Sequence, residues 1–286
     1  MRFLTYRKAG IEGLAIERDG SGRFYGLDRD QANYPGDLLT LIGKGQQALE
    51  AAADALGNGT ALELDSLEIL PPLPHPGKII CVGLNYHDHS AESGFEPPKD
   101  PTLFARFPSS LIGHQQALVC PQESVEFDYE AELAVIIGKA GRRINKEHAL
   151  EHVSGYAIFN DASVRDYQLR TPQWTLGKNF DATGGFGPTF ITADELPPGC
   201  KGLRIQTRLN GRVLQDANID DLIFDVASLI SLISQAMTLS PGDVIVTGTP
   251  GGVGLARKPP VWMKPGDTCE IEIDQLGILR NPVAVG

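Results

Sequence analysis

The chain has 286 residues, and its 25 Lys+Arg against 36 Asp+Glu leave a formal net charge of −11. That balance excludes nucleic acid or an anionic membrane face as the main partner, because like charges repel. With 32 glycines and 20 prolines the chain is rich in turns, and no window holds the ~18 consecutive apolar residues of a membrane span. The start, MRFLTYRKAG, carries charges and no apolar stretch suited to a signal peptide. Cys81, Cys120, Cys200 and Cys269 lie far apart with no C-x-x-C pair. These features predict reduced thiols and a cytoplasmic protein.

In chain order, alternating segments around Phe3–Arg7, Leu14–Glu17 and Arg23–Leu27 predict strands, and the Ala/Leu/Gln stretch Gln46–Leu56 predicts a helix. Four prolines within Leu70–Lys78 (LPPLPHPGK) then rule out helix. Residues 1–70 are read as a small α+β accessory domain, 71–77 as a Pro-rich linker and 78–286 as a larger catalytic domain. Strand signals dominate the larger part, at Lys78–Gly83, Tyr129–Gly138, Gly155–Asp161, Asp243–Thr249 and Thr268–Asp274. Leu203–Leu209 and Val213–Asp216 flank Asn210-Gly211, a type I′ hairpin signal. One helix is predicted over Asp225–Met237, capped by Asp225 and stopped by Pro241-Gly242. Strands outnumber helices without strict alternation, which favours a β-rich α+β fold.

Several residues carry possible chemistry. Glu130 and Glu132, two apart on a strand, share a face. They are either a solvated strand face or, given the apolar run Leu133–Ile137 that follows, a buried pair that needs a cation. Asp161 ends another strand and adds a third carboxylate, a hard-oxygen set suited to Mg²⁺ or Mn²⁺. In VGLNYHDHSAES, His87 and His89 lack the further His or Cys of a zinc site. His89 and Glu92 stand at i, i+3, a spacing open to a surface ion pair or an acid–base dyad. Gly83 and Gly94 bracket the segment as hinges of a lid would. Gly43–Ala48 has a loose dinucleotide-loop form without the acidic partner such a site requires. The loop Thr247–Gly254 is either a tight turn or a cradle for a carboxylate. Lys178 is a solitary cation among apolar neighbours, an oxyanion stabiliser or a surface lysine.

Together the segments VGLNYHDH, DYEAELAVIIGK, NDASVRDYQ and GDVIVTGTPGGVG resemble, in order, signatures of the fumarylacetoacetate hydrolase superfamily across Lys78–Pro282. Ala162 and Val164 depart from the usual Val and Ala of the third signature. The resemblance implies a mixed β-roll fold, one divalent cation per chain on Glu130, Glu132 and Asp161, and a homodimer. It assigns His89, Glu92 and Lys178 to catalysis and Arg165, Gln168 and Thr249 to substrate binding.

The activity expected from it is hydrolysis of a carbon–carbon bond in a 2,4-diketo acid, an acylpyruvate or a 2,4-diketo-3-deoxy sugar acid. Pyruvate and a second acid would be the products. His89, oriented by Glu92, would deprotonate the attacking water, and Lys178 would steady the developing charge. Decarboxylation of oxaloacetate-type 2-oxo acids and isomerisation of a 2-hydroxy-diene-dioate are the competing reactions on the same fold. The partner expected is a small anionic 2-oxo acid, with neither nucleic acid nor membrane.

Overall fold

A computed structural model of the chain describes residues 1–18, 20–88 and 99–286. The alternating N-terminal segments form the strands Arg2–Lys8, Ile11–Glu17 and Phe24–Asp28, paired antiparallel in that order. Two helices, Leu38–Lys44 and Gln46–Gly57, cover one face of them. The second helix buries Leu49, Ala52 and Leu56, whose spacing puts them on one side of a 3.6-residue period. The first, which the sequence pattern did not predict, starts where Asp37 accepts a hydrogen bond from the Thr40 amide at 2.8 Å.

The sheet continues past the proline-rich stretch. Arg2–Lys8 pairs antiparallel with Gly184–Thr192, placing Phe3 opposite Phe190. The apolar cluster of Phe3, Leu38 and Leu49 also runs on into Ile79, Ala134, Ile136 and Phe159. Among the described residues this sheet has twelve strands. Its central run passes from Gly184–Thr192 through Val153–Asp161, Ala131–Ile137, Val244–Val246 and Ile79–Gly83 to the edge strand Thr102–Ala105.

Ala131–Ile137 is buried along its whole length. Leu133, Val135 and Ile137 meet the helix Val226–Ala236 and a second, five-stranded sheet, through Leu229, Ile230, Ile233, Ile205, Ile271 and Leu279. Ala134 and Ile136 face the N-terminal helices. Side chains alternate across a strand, so Glu132 lies on the Ala134 face and Asp161 on the Phe159 face, which is the same side of the sheet. The predicted hairpin is present, with Asn210 at φ 52° and Gly211 at φ 78°, the left-handed pair that a type I′ turn requires. The architecture is β-rich α+β, as expected.

Candidate active site

Glu130 immediately precedes the strand Ala131–Ile137, Glu132 is its second residue, and Asp161 closes the neighbouring strand Val153–Asp161. The antiparallel register sets Ala131 against Asn160 and Glu132 against Phe159. The Asp161 amide donates to the Glu130 carbonyl at 2.9 Å. In consequence all three carboxylates are buried, and one oxygen from each lies within 4.8 Å of the others.

Buried carboxylates need compensating charge, and three cations provide part of it. Lys178, at the end of the short helix Thr175–Lys178, places Nζ 2.5 Å from Glu130 Oε2 and 2.6 Å from Asp161 Oδ2. Arg165 bridges two acids, with Nε 2.8 Å from Asp128 Oδ2 and Nη2 2.7 Å from Glu130 Oε1, and its Nη1 donates to Gln168 Oε1 at 2.8 Å. Arg106 Nε lies 2.5 Å from Asp161 Oδ1.

Sequence reasoning missed two of these residues. Asp128 stood inside the quoted DYE signature without an assigned role. Arg106, in the run TLFARF, had no motif to mark it; its only signal was a lone cation ending an apolar segment.

The electrostatics leave one acid exposed to its neighbours. Glu132 accepts the Gly248 amide, but among the described residues it has no ion pair. Burial, and then the charges of Asp161 and Glu130, push its pKa well above the ordinary glutamate value. Asp161 is also raised, chiefly by burial, with Lys178 and Arg106 pulling the other way. Burial opposes the Lys178 ammonium, yet Asp161 and Glu130 outweigh it and hold the lysine above its usual range. Three hard oxygen donors, one of them without an ion pair, form a set that can hold a divalent cation.

The acids open onto a cavity of about 380 Å³. Glu130, Glu132, Lys178, Arg165, Gln168 and Thr249 form its polar side, and Asp161 stands behind Lys178. The expected metal, cationic and substrate-contact residues are thus brought together. His89 and Glu92 lie outside the described residues. The cavity also has apolar lining, with Trp174 packed edge-on against Phe104 at 5.4 Å between ring centroids. Of the two glycines expected as hinges, Gly94 lies outside the described residues, and Gly83 has a packing constraint, since a Cβ there would collide with the Trp174 ring.

The glycine loop also differs from a free cradle. Its Gly248 amide is committed to Glu132, and its Gly254 amide, with that of the following Leu255, donates to Asp128 at 2.7 and 3.0 Å. Two of its N–H groups and the next one along therefore hold protein carboxylates in place of a ligand.

Comparison with known proteins follows the same residues. The family model for the fumarylacetoacetate (FAA) hydrolase C-terminal region matches residues 78–284. The chain is 40% identical over 273 residues to the oxaloacetate tautomerase fahd2, mitochondrial, of Xenopus laevis, covering 94% of this chain and 85% of that protein. It is 38% identical over 288 residues to the oxaloacetate tautomerase FAHD2A, mitochondrial, of Homo sapiens, covering 99% and 91%. The structure of maleylpyruvate hydrolase from Sphingobium sp. SYK-6, in complex with manganese(II) ion and pyruvate, is similar over 100% of both chains, with a TM-score of 0.80 at 30% identity.

These findings correct two expectations. Hydrolysis of a 2,4-diketo acid is overturned, because these two relatives, similar over nearly the whole chain, are named oxaloacetate tautomerases. The physical reason is that the signatures report a carboxylate set that can hold a divalent cation, and such a set does not specify which bond of a substrate changes. The cytoplasmic address is not supported, since both relatives are named mitochondrial. No helix among the described residues is long and apolar enough to cross a membrane. With the family match spanning residues 78–284, and with similarity to relatives extending over nearly the full chain, the protein belongs to the fumarylacetoacetate hydrolase family of enzymes.

Proposed function

We propose that the protein interconverts the keto and enol forms of oxaloacetate or a closely similar small 2-oxo diacid. One divalent cation per chain, Mg²⁺ or Mn²⁺, would be held by Glu130, Glu132 and Asp161. One observation carries this reading: Glu130, Glu132 and Lys178 line a space of about 380 Å³, with the third carboxylate of the cluster, Asp161, paired to Lys178. That volume suits a small acid. The activity named for the two tautomerase relatives selects among the enolate reactions such a floor supports.

A bound divalent cation supplies Lewis acidity that lowers the cost of negative charge on a 2-oxo group. The chain's own residues do the rest. Lys178 remains an ammonium at neutral pH because its carboxylate neighbours hold its pKa up, so it contributes positive charge beside the developing enolate. Arg165, fixed between Asp128 and Glu130, and Gln168 orient the substrate carboxylate, with Thr249 on the same wall. Trp174 and Phe104 keep water from the apolar side.

In this reading His89, with Glu92 in the orienting role the family resemblance assigns it, carries the proton that the enol oxygen gives up and that C3 gains on ketonisation. No carbon–carbon bond breaks and no water is consumed. General acid–base action of this kind contributes ~10²–10⁴-fold, so His89→Ala is expected to lose about that much of the acceleration. The partner is this small anion alone, in a homodimer whose mass in solution would be twice that of the chain.

The test follows the enol absorbance of oxaloacetate in Mg²⁺ buffer. Decay faster than the spontaneous rate, lost on adding EDTA, is the expected result. An unchanged rate at micromolar protein would sink the reading. Pyruvate assayed in the same mixture shows whether carbon dioxide leaves instead.

A further inference from the structure

Asp161 has two carboxylate oxygens with different partners. Oδ2 faces Lys178 at 2.6 Å, toward the other two acids, while Oδ1 takes Arg106 Nε at 2.5 Å from the opposite side. Arg106 also grips the backbone beside this acid, donating from Nη2 to the Ala162 carbonyl at 2.5 Å, and from Nη1 to Ser110 Oγ at 3.3 Å. Its side chain is fully buried, and it is absent from the cavity wall, so it does not reach a substrate.

The surrounding sequence makes room for it. Gly184 pairs with Asp161 across the sheet, and a Cβ on Gly184 would strike Arg106 Nη1. The Arg106 amide is itself held by the Ile79 carbonyl at 3.2 Å. Burying a guanidinium costs free energy unless its donors are satisfied, and here they are directed at one acid, the next carbonyl and one hydroxyl.

We propose that Arg106 is a positioning residue that locks the Asp161 carboxylate so that Oδ2 is presented to a divalent cation. The proposal rests on the reading of Glu130, Glu132 and Asp161 as cation ligands. Charge and positioning predict opposite outcomes. Removing a nearby positive charge makes the acid cluster more negative and, by charge alone, tightens cation binding. Loss of positioning weakens it, and hydrogen-bond partners of metal ligands typically contribute 10–100-fold in affinity, roughly.

Calorimetric titration with Mn²⁺ of chelator-stripped protein separates the two, with each variant's melting in EDTA recorded beside it. Wild type must bind Mn²⁺; if it does not, the ligand assignment fails and not the role of Arg106 alone. Arg106→Met is expected to bind about 10–100-fold more weakly, and Arg106→Lys to recover part of that loss. Lysine keeps the charge, but one nitrogen cannot serve both Asp161 and the Ala162 carbonyl equally well. Gly184→Ala keeps every charge and crowds the guanidinium, so it too should weaken binding, by severalfold. Folded Arg106→Met binding as tightly as wild type or tighter overturns the proposal. So does folded Gly184→Ala together with folded Arg106→Lys at wild-type affinity.

Discussion

Glu132 is a carboxylate buried with two others and, among the described residues, without an ion pair of its own. Its pKa is raised on folding, so the native chain binds more protons than the unfolded one. Stability then falls as pH rises above the unfolded glutamate value of 4.5 and keeps falling toward the folded value. This is the reverse of the usual ion-paired carboxylate. Protein stripped of divalent ions is expected to melt at lower temperature as pH rises through that window, and Mn²⁺ should restore the loss. Glu132→Gln should flatten the pH dependence, abolish Mn²⁺ binding, and raise the metal-free melting temperature at pH 8. A rise of about 2–4 °C corresponds to ~1 kcal/mol in a chain of this size. A glutamine variant that melts below wild type at pH 8 in EDTA would count against the assignment. Legibility at this scale followed local spacing. Glu130 and Glu132 are marked by their two-residue spacing at the start of one strand, and Asp161 closes another. Arg106 reaches Asp161 only through tertiary structure, across 55 positions, and no local pattern announces it.

Elements whose burial shows in their own period were readable, and those shaped by a neighbour were not. Val226–Ala236 buries Val226, Leu229, Ile230 and Ile233, a helical stripe that stands out in the residues themselves. Gly184–Thr192 lies in the middle of the large sheet yet begins GGFGP, which reads as a loop. Its glycines answer to contacts from elsewhere: Gly184 leaves space for Arg106, and a Cβ on Gly185 would come within 2.9 Å of Asn281 Oδ1. The feature that hid the strand is the one the site requires. Gly83 works in the same way at the cavity. Gly83→Ala is expected to push Trp174 off the end of the strand Ile79–Gly83, costing ~1–3 kcal/mol by overpacking. It should also raise KM for the 2-oxo acid more than it lowers kcat, since the acids beyond are untouched. Unchanged tryptophan fluorescence and unchanged KM would remove Trp174 from the cavity wall as a substrate-shaping group.

At the scale of the molecule, the proline-rich stretch marks where the family match begins, at Lys78, while sheet and core run across it. Phe3, Leu14, Leu38 and Leu49 share one apolar cluster with Ile79, Ile136, Phe186 and Phe190. A fragment starting at Lys78 would expose that face, so it should bind a hydrophobic dye and melt without a sharp transition. A transition as sharp as that of the full chain would show that the larger part folds alone. The proline-rich stretch was legible because prolines act locally; the pairing across it was not, because a sheet partner can lie anywhere in the chain. The pairing of Phe3 with Phe190 also sets an order on synthesis. Arg2–Lys8 emerges from the ribosome early and has Ile11–Glu17 beside it at once, but the ladder on the Gly184–Thr192 side must wait until that distant strand is made. Glu68–Ile69 pairs early with Tyr6 and Arg7, so until then it is the Arg2–Phe3 end that carries an open β edge able to capture its neighbours on the same message. Chains released before Thr192 are therefore the ones expected to aggregate.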